Sequence, residues 1–181
     1  MKNKIILIIF IIIVLALTVL LGYHIYDNYF CYTEVSSVDN SFTLTIPNKV
    51  KFKIKNSNEE NYLLDLYYVK DEMFLYSSVI DKKSEIDLKE VVETEKNNLA
   101  STLNNVNSIS DTSEITINNY KSFKYSYIYS DSEYGKDLYS EVIWIETDTK
   151  IYILDLEVIT KNMNKYKSIF EEIEMSFNEN I

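Results

Sequence analysis

The residues of this chain that could do chemistry are mainly carboxylates. Four pairs stand out: Glu59/Glu60, Asp71/Glu72, Glu171/Glu172 and Asp155/Glu157. A glycosidase needs two carboxyl groups that face each other across a cleft at a defined separation. Adjacent acids in turns and on helix faces are instead typical of solvated surface. We therefore predict that the chain is not an enzyme, and we keep a carboxylate-dependent envelope hydrolase as the alternative.

The pair Asp155 and Glu157 has an unusual setting. Both residues share one face of a predicted strand with Ile151, Ile153 and Ile159. Carboxylates on such a face are expected to reach water, so we interpret it as an exposed face or an edge of the sheet.

Aromatic side chains form the strongest remaining pattern. Four of them alternate along one predicted strand and so share a face, and two more lie on predicted neighbouring strands. The set is Phe123, Tyr125, Tyr127, Tyr129, Trp144 and Tyr152. Cross-strand packing beneath helices explains such a set, and we favour that interpretation. The functional alternative is an aromatic platform that binds a glycan or a peptide.

Residues for metal or nucleophilic chemistry are scarce. The only histidine and the only cysteine, His24 and Cys31, precede the predicted domain, which argues against a zinc site or a catalytic triad. The residues before Cys31 are too bulky for a lipobox, so it is interpreted as an unpaired thiol. Residues 131–137 carry oxygen ligands at alternate positions, as weak calcium sites do, but Lys136 interrupts them. We favour a charged hairpin tip there and predict neither metal nor cofactor.

The N-terminal segment determines where the protein resides. Residues 5–22 are uncharged and apolar, and as a helix they would be about 27 Å long, which matches a bilayer core. The apolar run is long for a signal peptide, so we favour a retained transmembrane helix over residues 5–23 and keep a cleaved signal peptide as the alternative. Lys2 and Lys4 put the N-terminus, residues 1–4, in the cytoplasm. Membrane lipid is thus an expected partner, and the rest of the chain is expected outside the cell membrane.

The amino-acid composition indicates the type of genome that encodes the chain, and its charge argues against nucleic acid as a partner. The chain is rich in lysine, isoleucine, asparagine and tyrosine, which have AT-rich codons, and this indicates a low-GC bacterial genome. Its net charge of −10 repels nucleic acid and anionic lipid headgroups. We predict no nucleic-acid partner.

The hydropathy pattern divides the remainder into a stalk, residues 24–38, and one domain, residues 39–181. Alternation predicts strands over 42–46, 49–55, 62–69, 73–80, 114–117, 120–129, 138–146 and 150–160. A turn is expected over 56–61. Helical spacing predicts one helix capped by Asp87 and running to about Asn104, and another from about Asn164. This order predicts an α+β domain in which helices cover an antiparallel sheet.

Several of these positions resemble a known family. They are Ser41-Phe42, Ile46-Pro47, Phe123-x-Tyr125-x-Tyr127, Gly135, Tyr139, Lys150-x-Tyr152 and Phe170-x-x-Ile173-x-x-Ser176-Phe177. In these residues the chain resembles the PsbP-like family, which implies an α/β/α sandwich as in the extrinsic photosystem subunit and in bacterial envelope proteins. The predicted domain contains no histidine, so metal-binding histidines of plant members have no counterpart. The resemblance carries no functional residue over to this chain.

These observations favour binding over catalysis. We predict a membrane-anchored extracytoplasmic domain that binds or scaffolds an envelope protein or a glycan. A structural accessory subunit of a membrane complex is a further alternative to the hydrolase.

Overall fold

A long apolar helix begins the chain. In the computed structural model, which describes residues 2–54, 62–82, 87–102, 105–132 and 135–180, helix α1 spans Lys2–Phe30. Its section Ile5–Phe30 is long and apolar enough to cross a membrane, and none of its most apolar window is buried inside the protein. The helix extends past the predicted span because neither proline nor glycine follows Gly22 before Phe30.

The residues predicted to form a stalk, 24–38, have regular structure. The first of them continue α1, and Tyr32–Ser36 forms strand β1, so that only Cys31 separates helix from strand. Aromatic and β-branched residues favour this strand. It pairs antiparallel with β2, Phe42–Pro47. Residues 24–38 therefore belong to the helix and to the folded domain rather than to a separate stalk.

The small sheet has three strands. β2 lies in its centre, between β1 and the C-terminal strand β11, Asn178–Glu179. Ser176 also contacts β2, because its hydroxyl accepts a hydrogen bond from the Thr45 backbone N–H at 2.8 Å.

In the part of the chain that the structure describes, the large sheet contains eight strands, all paired antiparallel, in the order β3-β4-β5-β10-β9-β8-β6, with β7 also paired to β8. The strands are β3 Lys53–Ile54, β4 Leu64–Tyr68, β5 Met73–Asp81, β6 Val106–Ile109, β7 Ser113–Ile117, β8 Tyr120–Asp131, β9 Lys136–Glu146 and β10 Lys150–Ile159. β10 thus lies near the middle of the sheet although it comes late in the chain.

Two helices cover the two faces of this sheet. Helix α2, Leu88–Thr102, begins where the Asp87 carboxylate accepts the Lys89 backbone N–H at 3.0 Å. Helix α3, Met163–Glu174, packs with the small sheet on the opposite face. The predicted α+β architecture of an antiparallel sheet covered by helices is confirmed.

Some sequence predictions need correction. Of the strand predicted over 49–55, residues 49–54 are described, and among them only Lys53–Ile54 pairs; Ile54 is 74% exposed. Strands β1, β6 and β11 were not predicted, because they are short and largely polar. The predicted turn over 56–61 and the predicted end of α2 at 103–104 lie outside the described residues.

Candidate functional site

The predicted aromatic platform is mostly core. Phe123 of β8 lies directly opposite Trp144 of β9, and both are at most 4% exposed beneath Leu88 and Val92 of α2. Tyr125 and Tyr127 continue the same row and are also buried. The contacts of these four rings therefore agree with the packing interpretation.

Tyr152 does not belong to this face, which corrects the predicted set. In the pairing of β10 with β9, Trp144 lies opposite Ile153, so the preceding Tyr152 points to the other side of the sheet. There its ring packs against Phe42 and Phe177, at centroid distances of 5.3 and 5.2 Å. Because the six rings lie on two faces of the sheet, one ligand cannot contact all of them.

The row ends in a different environment at Tyr129, which is only half-buried. Beside it, towards β5, the same face carries two carboxylates of β10 between aromatic side chains. We call this group the acidic aromatic cluster: Phe74, Tyr76, Tyr127, Tyr129, Asp155 and Glu157. The core beneath α2 includes neither Phe74 nor Tyr76.

Strand register builds this cluster. Glu157 lies between Phe74 of β5 and Ser140 of β9, and Asp155 lies between Tyr76 and Val142. On one side the Phe74 and Tyr76 rings stack at 6.0 Å, and on the other the Tyr127 and Tyr129 rings lie 5.5 Å apart. Two ring pairs therefore flank the central carboxylates.

Hydroxyl groups, and no lysine of the described residues, stabilise these carboxylates. Tyr129 donates its phenolic hydrogen to Glu157 Oε1 at 3.0 Å, and Ser140 donates to Asp155 Oδ1 at 2.6 Å. No lysine nitrogen in the described part of the chain lies within ion-pair distance of either one. A buried carboxylate without a counter-ion is costly to ionise.

The pKa values follow from this environment. Burial raises the pKa of Asp155 to about 6. Burial, and then the charge of Asp155, raises the pKa of Glu157 to about 8. Burial also raises the pKa of Tyr127 and of Tyr129, so both phenols stay protonated. Both carboxyl groups of the cluster are therefore harder to ionise than ordinary ones, and Glu157 more so than Asp155.

A third carboxylate extends the same face. Asp65 of β4 lies opposite Tyr76, which in turn lies opposite Asp155, so the three side chains share one face and one row. Asp65 is 7% exposed, and its Oδ1 has no hydrogen-bond partner among the described residues. Buried acceptors are almost always hydrogen-bonded, and an unsatisfied one costs about 1–3 kcal/mol. The row thus presents an acceptor that a ligand donor could satisfy.

The sequence interpretation of Asp155 and Glu157 as an exposed face was wrong. Glu157 is 7% exposed, and Asp155 is half-buried. The apolar residues that surround both acids along residues 151–159 were the available signal, because a strand that is apolar on both faces is typical of the middle of a sheet.

The opposite face of the sheet holds a second carboxylate cluster, which the sequence analysis missed. Glu141 of β9 and Glu174 of α3 both contact Lys124 of β8, whose Nζ lies 3.5 Å from Glu141 Oε1 and 3.1 Å from Glu174 Oε2. Burial, and then Glu141, raises the pKa of Glu174 to about 8. Burial opposes ionisation of Glu141 as well, yet hydrogen bonds from Glu174 and the charge of Lys124 lower its pKa. The two glutamates therefore differ in how readily they ionise beside the same internal lysine.

The remaining predicted sites have ordinary partners. At the tip between β8 and β9, Lys136 pairs with Glu72 at 2.6 Å, and Ser130 donates to Asp137 at 2.6 Å. Asp71 accepts hydrogen bonds from Lys165 and Tyr166. No group of three metal-ligating side chains occurs within the described ranges. Residues 133–134 and the pair Glu59/Glu60 lie outside those ranges.

The chain resembles known proteins in structure alone. No family model and no curated protein matches the sequence. Several solved structures resemble the chain. The first is cyanobacterial PsbP (CyanoP) from Synechocystis sp. PCC 6803, with 10% identity, a TM-score of 0.58 and coverage of 82% of this chain and 92% of that one.

The second is PA94 from Pseudomonas aeruginosa, a protein of unknown function and putative regulator, with 13% identity, a TM-score of 0.55 and coverage of 83% and 98%. The third is LpqN, involved in cell envelope biogenesis of Mycobacterium tuberculosis, with 16% identity, a TM-score of 0.57 and coverage of 87% and 95%. At such identities the likeness concerns the fold alone. The resemblance expected from the sequence is confirmed at that level: this chain has a PsbP-like fold preceded by a long apolar helix.

Proposed function

We propose that this chain is a membrane-anchored extracytoplasmic binding protein whose acidic aromatic cluster holds a positively charged group of its ligand. One observation carries the proposal: Asp155 and Glu157 lie between two pairs of aromatic rings without a lysine counter-ion in the described part of the chain. A ligand cation would supply the missing charge, and the flanking ring faces would add cation–π attraction.

The protonation states support a cationic ligand. A positive charge beside Glu157 would favour its ionised form, so binding would release a proton and create a stronger anionic site. A neutral ligand such as a sugar would gain only hydrogen bonds from the same groups. A primary or quaternary ammonium, as in a lysine side chain or an amine-bearing envelope polymer, is therefore the ligand chemistry we propose.

Binding without catalysis fits the placement of the carboxylates. Asp155 and Glu157 follow each other on one face of a single strand, and their side chains are side by side. A glycosidase mechanism needs carboxyl groups on opposite sides of the scissile bond. The apolar helix and the structural likeness to LpqN, an envelope biogenesis protein, support the proposed location in the cell envelope.

Isothermal titration of the full chain in neutral detergent micelles tests the ligand proposal. Tetramethylammonium chloride is the cationic probe, tert-butanol is the neutral probe of similar shape, and sodium chloride controls for ionic strength. We expect saturable binding of tetramethylammonium alone, with a dissociation constant of about 1–10 mM. Equal responses to both probes, or none to either, would contradict the proposal.

Two variants make the test specific. The pair Asp155→Asn with Glu157→Gln keeps the shape of the cluster but removes its charge, and we expect it to abolish the response. Asp148→Asn changes an exposed acid in the turn between β9 and β10 and should leave binding unchanged. Hydrolysis of aryl glycosides that is lost in the paired variant would favour the envelope hydrolase instead.

A further inference from the structure

A lysine-lined cavity lies between the end of α1 and the folded domain. It has a volume of about 760 Å³, which lies within the range of small-ligand sites. His24 and Tyr29 of α1 form one wall, and α3 contributes Tyr166. Among the described residues its lining includes four lysines and no acid; the lysines are Lys49, Lys51, Lys70 and Lys165. We call it the lysine pocket.

Its positive charge is only partly balanced within the protein. Lys165 pairs with Asp71 at 2.9 Å, but Lys49 lies 3.5 Å from Glu172, and Lys51 lies 4.0 Å from Asp27 with 66% of its side chain exposed. Ion pairs that are this open to solvent are weak. Lys70 has no carboxylate within ion-pair distance in the described part of the chain. The pocket is thus a basic site in a chain with a net charge of −10.

The pocket lies where lipid headgroups would be. The uncharged apolar run ends at Gly22, and His24 and Tyr29 lie about 3 and about 10 Å beyond it along the helix. The headgroup layer on each side of a bilayer is about 5–7 Å thick. Tyr26, Tyr29 and Phe30 are each at least 60% exposed, as expected for aromatic residues at a membrane interface.

We propose that the lysine pocket binds the phosphate of anionic phospholipid headgroups in the outer leaflet. The inference rests on the proposed anchoring of α1, and it modifies the expectation from net charge alone that the domain repels such lipids. Lysine ammonium groups bind phosphate as point charges, and basic residues next to a membrane helix attract anionic lipid. Binding would hold the domain against the bilayer in one orientation.

Chemical footprinting in nanodiscs tests this inference. The full chain is reconstituted in pure phosphatidylcholine or in an equimolar mixture with phosphatidylglycerol, and the acetylation rate of each lysine is measured by mass spectrometry. We expect phosphatidylglycerol to slow acetylation of Lys70 and Lys51 by about threefold or more, with the protection lost at high salt. Lys89, exposed on α2, serves as the internal control. Equal rates in both lipids would overturn the inference.

A second measurement uses variants. Native mass spectrometry counts the phosphatidylglycerol molecules that remain bound after detergent extraction, and we expect fewer for Lys51→Gln with Lys70→Gln than for Lys89→Gln with Lys121→Gln. Retention that is equal in the two pairs would contradict the assignment to this pocket. Failure of the anchoring proposal is seen separately, because an uninserted α1 would leave the protein outside the nanodiscs after an alkaline carbonate wash.

Discussion

Two buried carboxylate clusters lie on opposite faces of the same sheet. Glu141 and Glu174 enclose Lys124 and are covered by α3, whereas Asp155 and Glu157 have only hydroxyl partners and aromatic neighbours among the described residues. Both clusters include a carboxyl group whose pKa burial raises to about 8. They differ in the source of the compensating positive charge.

This difference separates a structural role from the binding role that we propose. A buried charge is tolerated when a partner of opposite sign is built in, and removal of that partner is destabilising. The first cluster has its partner, so it joins α3 to the sheet. The second cluster has none in the described part of the chain, so in the proposed function a cation from outside would favour ionisation of both of its carboxyl groups.

The largest expected effect comes from removal of the internal lysine. Lys124→Met would leave Glu141 and Glu174 buried without a counter-ion, and we expect a loss of about 3–5 kcal/mol in the free energy of unfolding. Urea denaturation of the full chain in micelles measures it. Lys89→Met, at an exposed site of α2, is the matched control and should have an effect below about 0.5 kcal/mol. A loss as small as the control would refute the structural role of Lys124.

The next effect concerns pH and the cluster without a lysine. Glu157 has a folded-state pKa of about 8 against an ordinary value of 4.5, so its neutral form stabilises the fold below pH 4.5. That stability is lost as the pH rises through 8. Glu157→Gln cannot ionise, and we expect it to be more stable than the parent at pH 8.5 by about 2 kcal/mol.

Thermal or urea unfolding at pH 5 and pH 8.5 measures this effect. The advantage of the variant should largely disappear at pH 5, where the parent glutamate is also protonated. A difference that stays constant between the two pH values would mean that packing, not ionisation, causes it.

A third prediction compares the effect of a bound cation on the carboxyl pKa values of the two clusters. Saturating tetramethylammonium should lower the pKa of Glu157 by about one unit, because a nearby positive charge favours the carboxylate. The pKa of Glu174 on the other face should not change. Carbon-13 NMR of labelled glutamate carboxyl groups follows both titrations, and a parallel shift of the two would indicate a general salt effect.

The smallest effect comes from single hydroxyl groups. Tyr129→Phe removes the hydrogen bond to Glu157 and should weaken tetramethylammonium binding about two- to fivefold, since that bond stabilises the carboxylate. Tyr139→Phe is the matched control, because Tyr139 donates to Glu141 on the opposite face at 2.8 Å. It should leave the binding constant unchanged in the same titration.

The sequence predicted most of the strands and turns because their signals are local. Asn118 and Asn119 take left-handed φ angles of 46° and 72° in the turn between β7 and β8, as expected for asparagine pairs in tight hairpins. Asp87 caps α2 through its side chain. The alternation of Phe123 and Tyr125 correctly predicted a strand with one buried face.

The site could not be predicted in the same way, because it depends on pairing between distant strands. The face on which Tyr152 lies could not be predicted, since the register of β10 against β9 decides which side chains share a face. The burial of Glu157 depends on the position of β10 between β5 and β9, and no local pattern contains that order. Glu174 and Lys124 are likewise separated by 50 positions in the chain.

The one-residue connection at Cys31 has a mechanical consequence. The carbonyl of Cys31 accepts the Asn48 backbone N–H at 3.0 Å, and the Asn48 side chain donates to Asp27 at 3.0 Å, so the end of α1 is bonded directly to the loop after β2. A short connection held by hydrogen bonds transmits rotation from the helix to the domain, whereas a long flexible linker would let the domain move independently of the helix. Rotation of the helix would turn the domain with it. The distance from the helix at which the domain could contact another molecule would scarcely exceed the diameter of the domain.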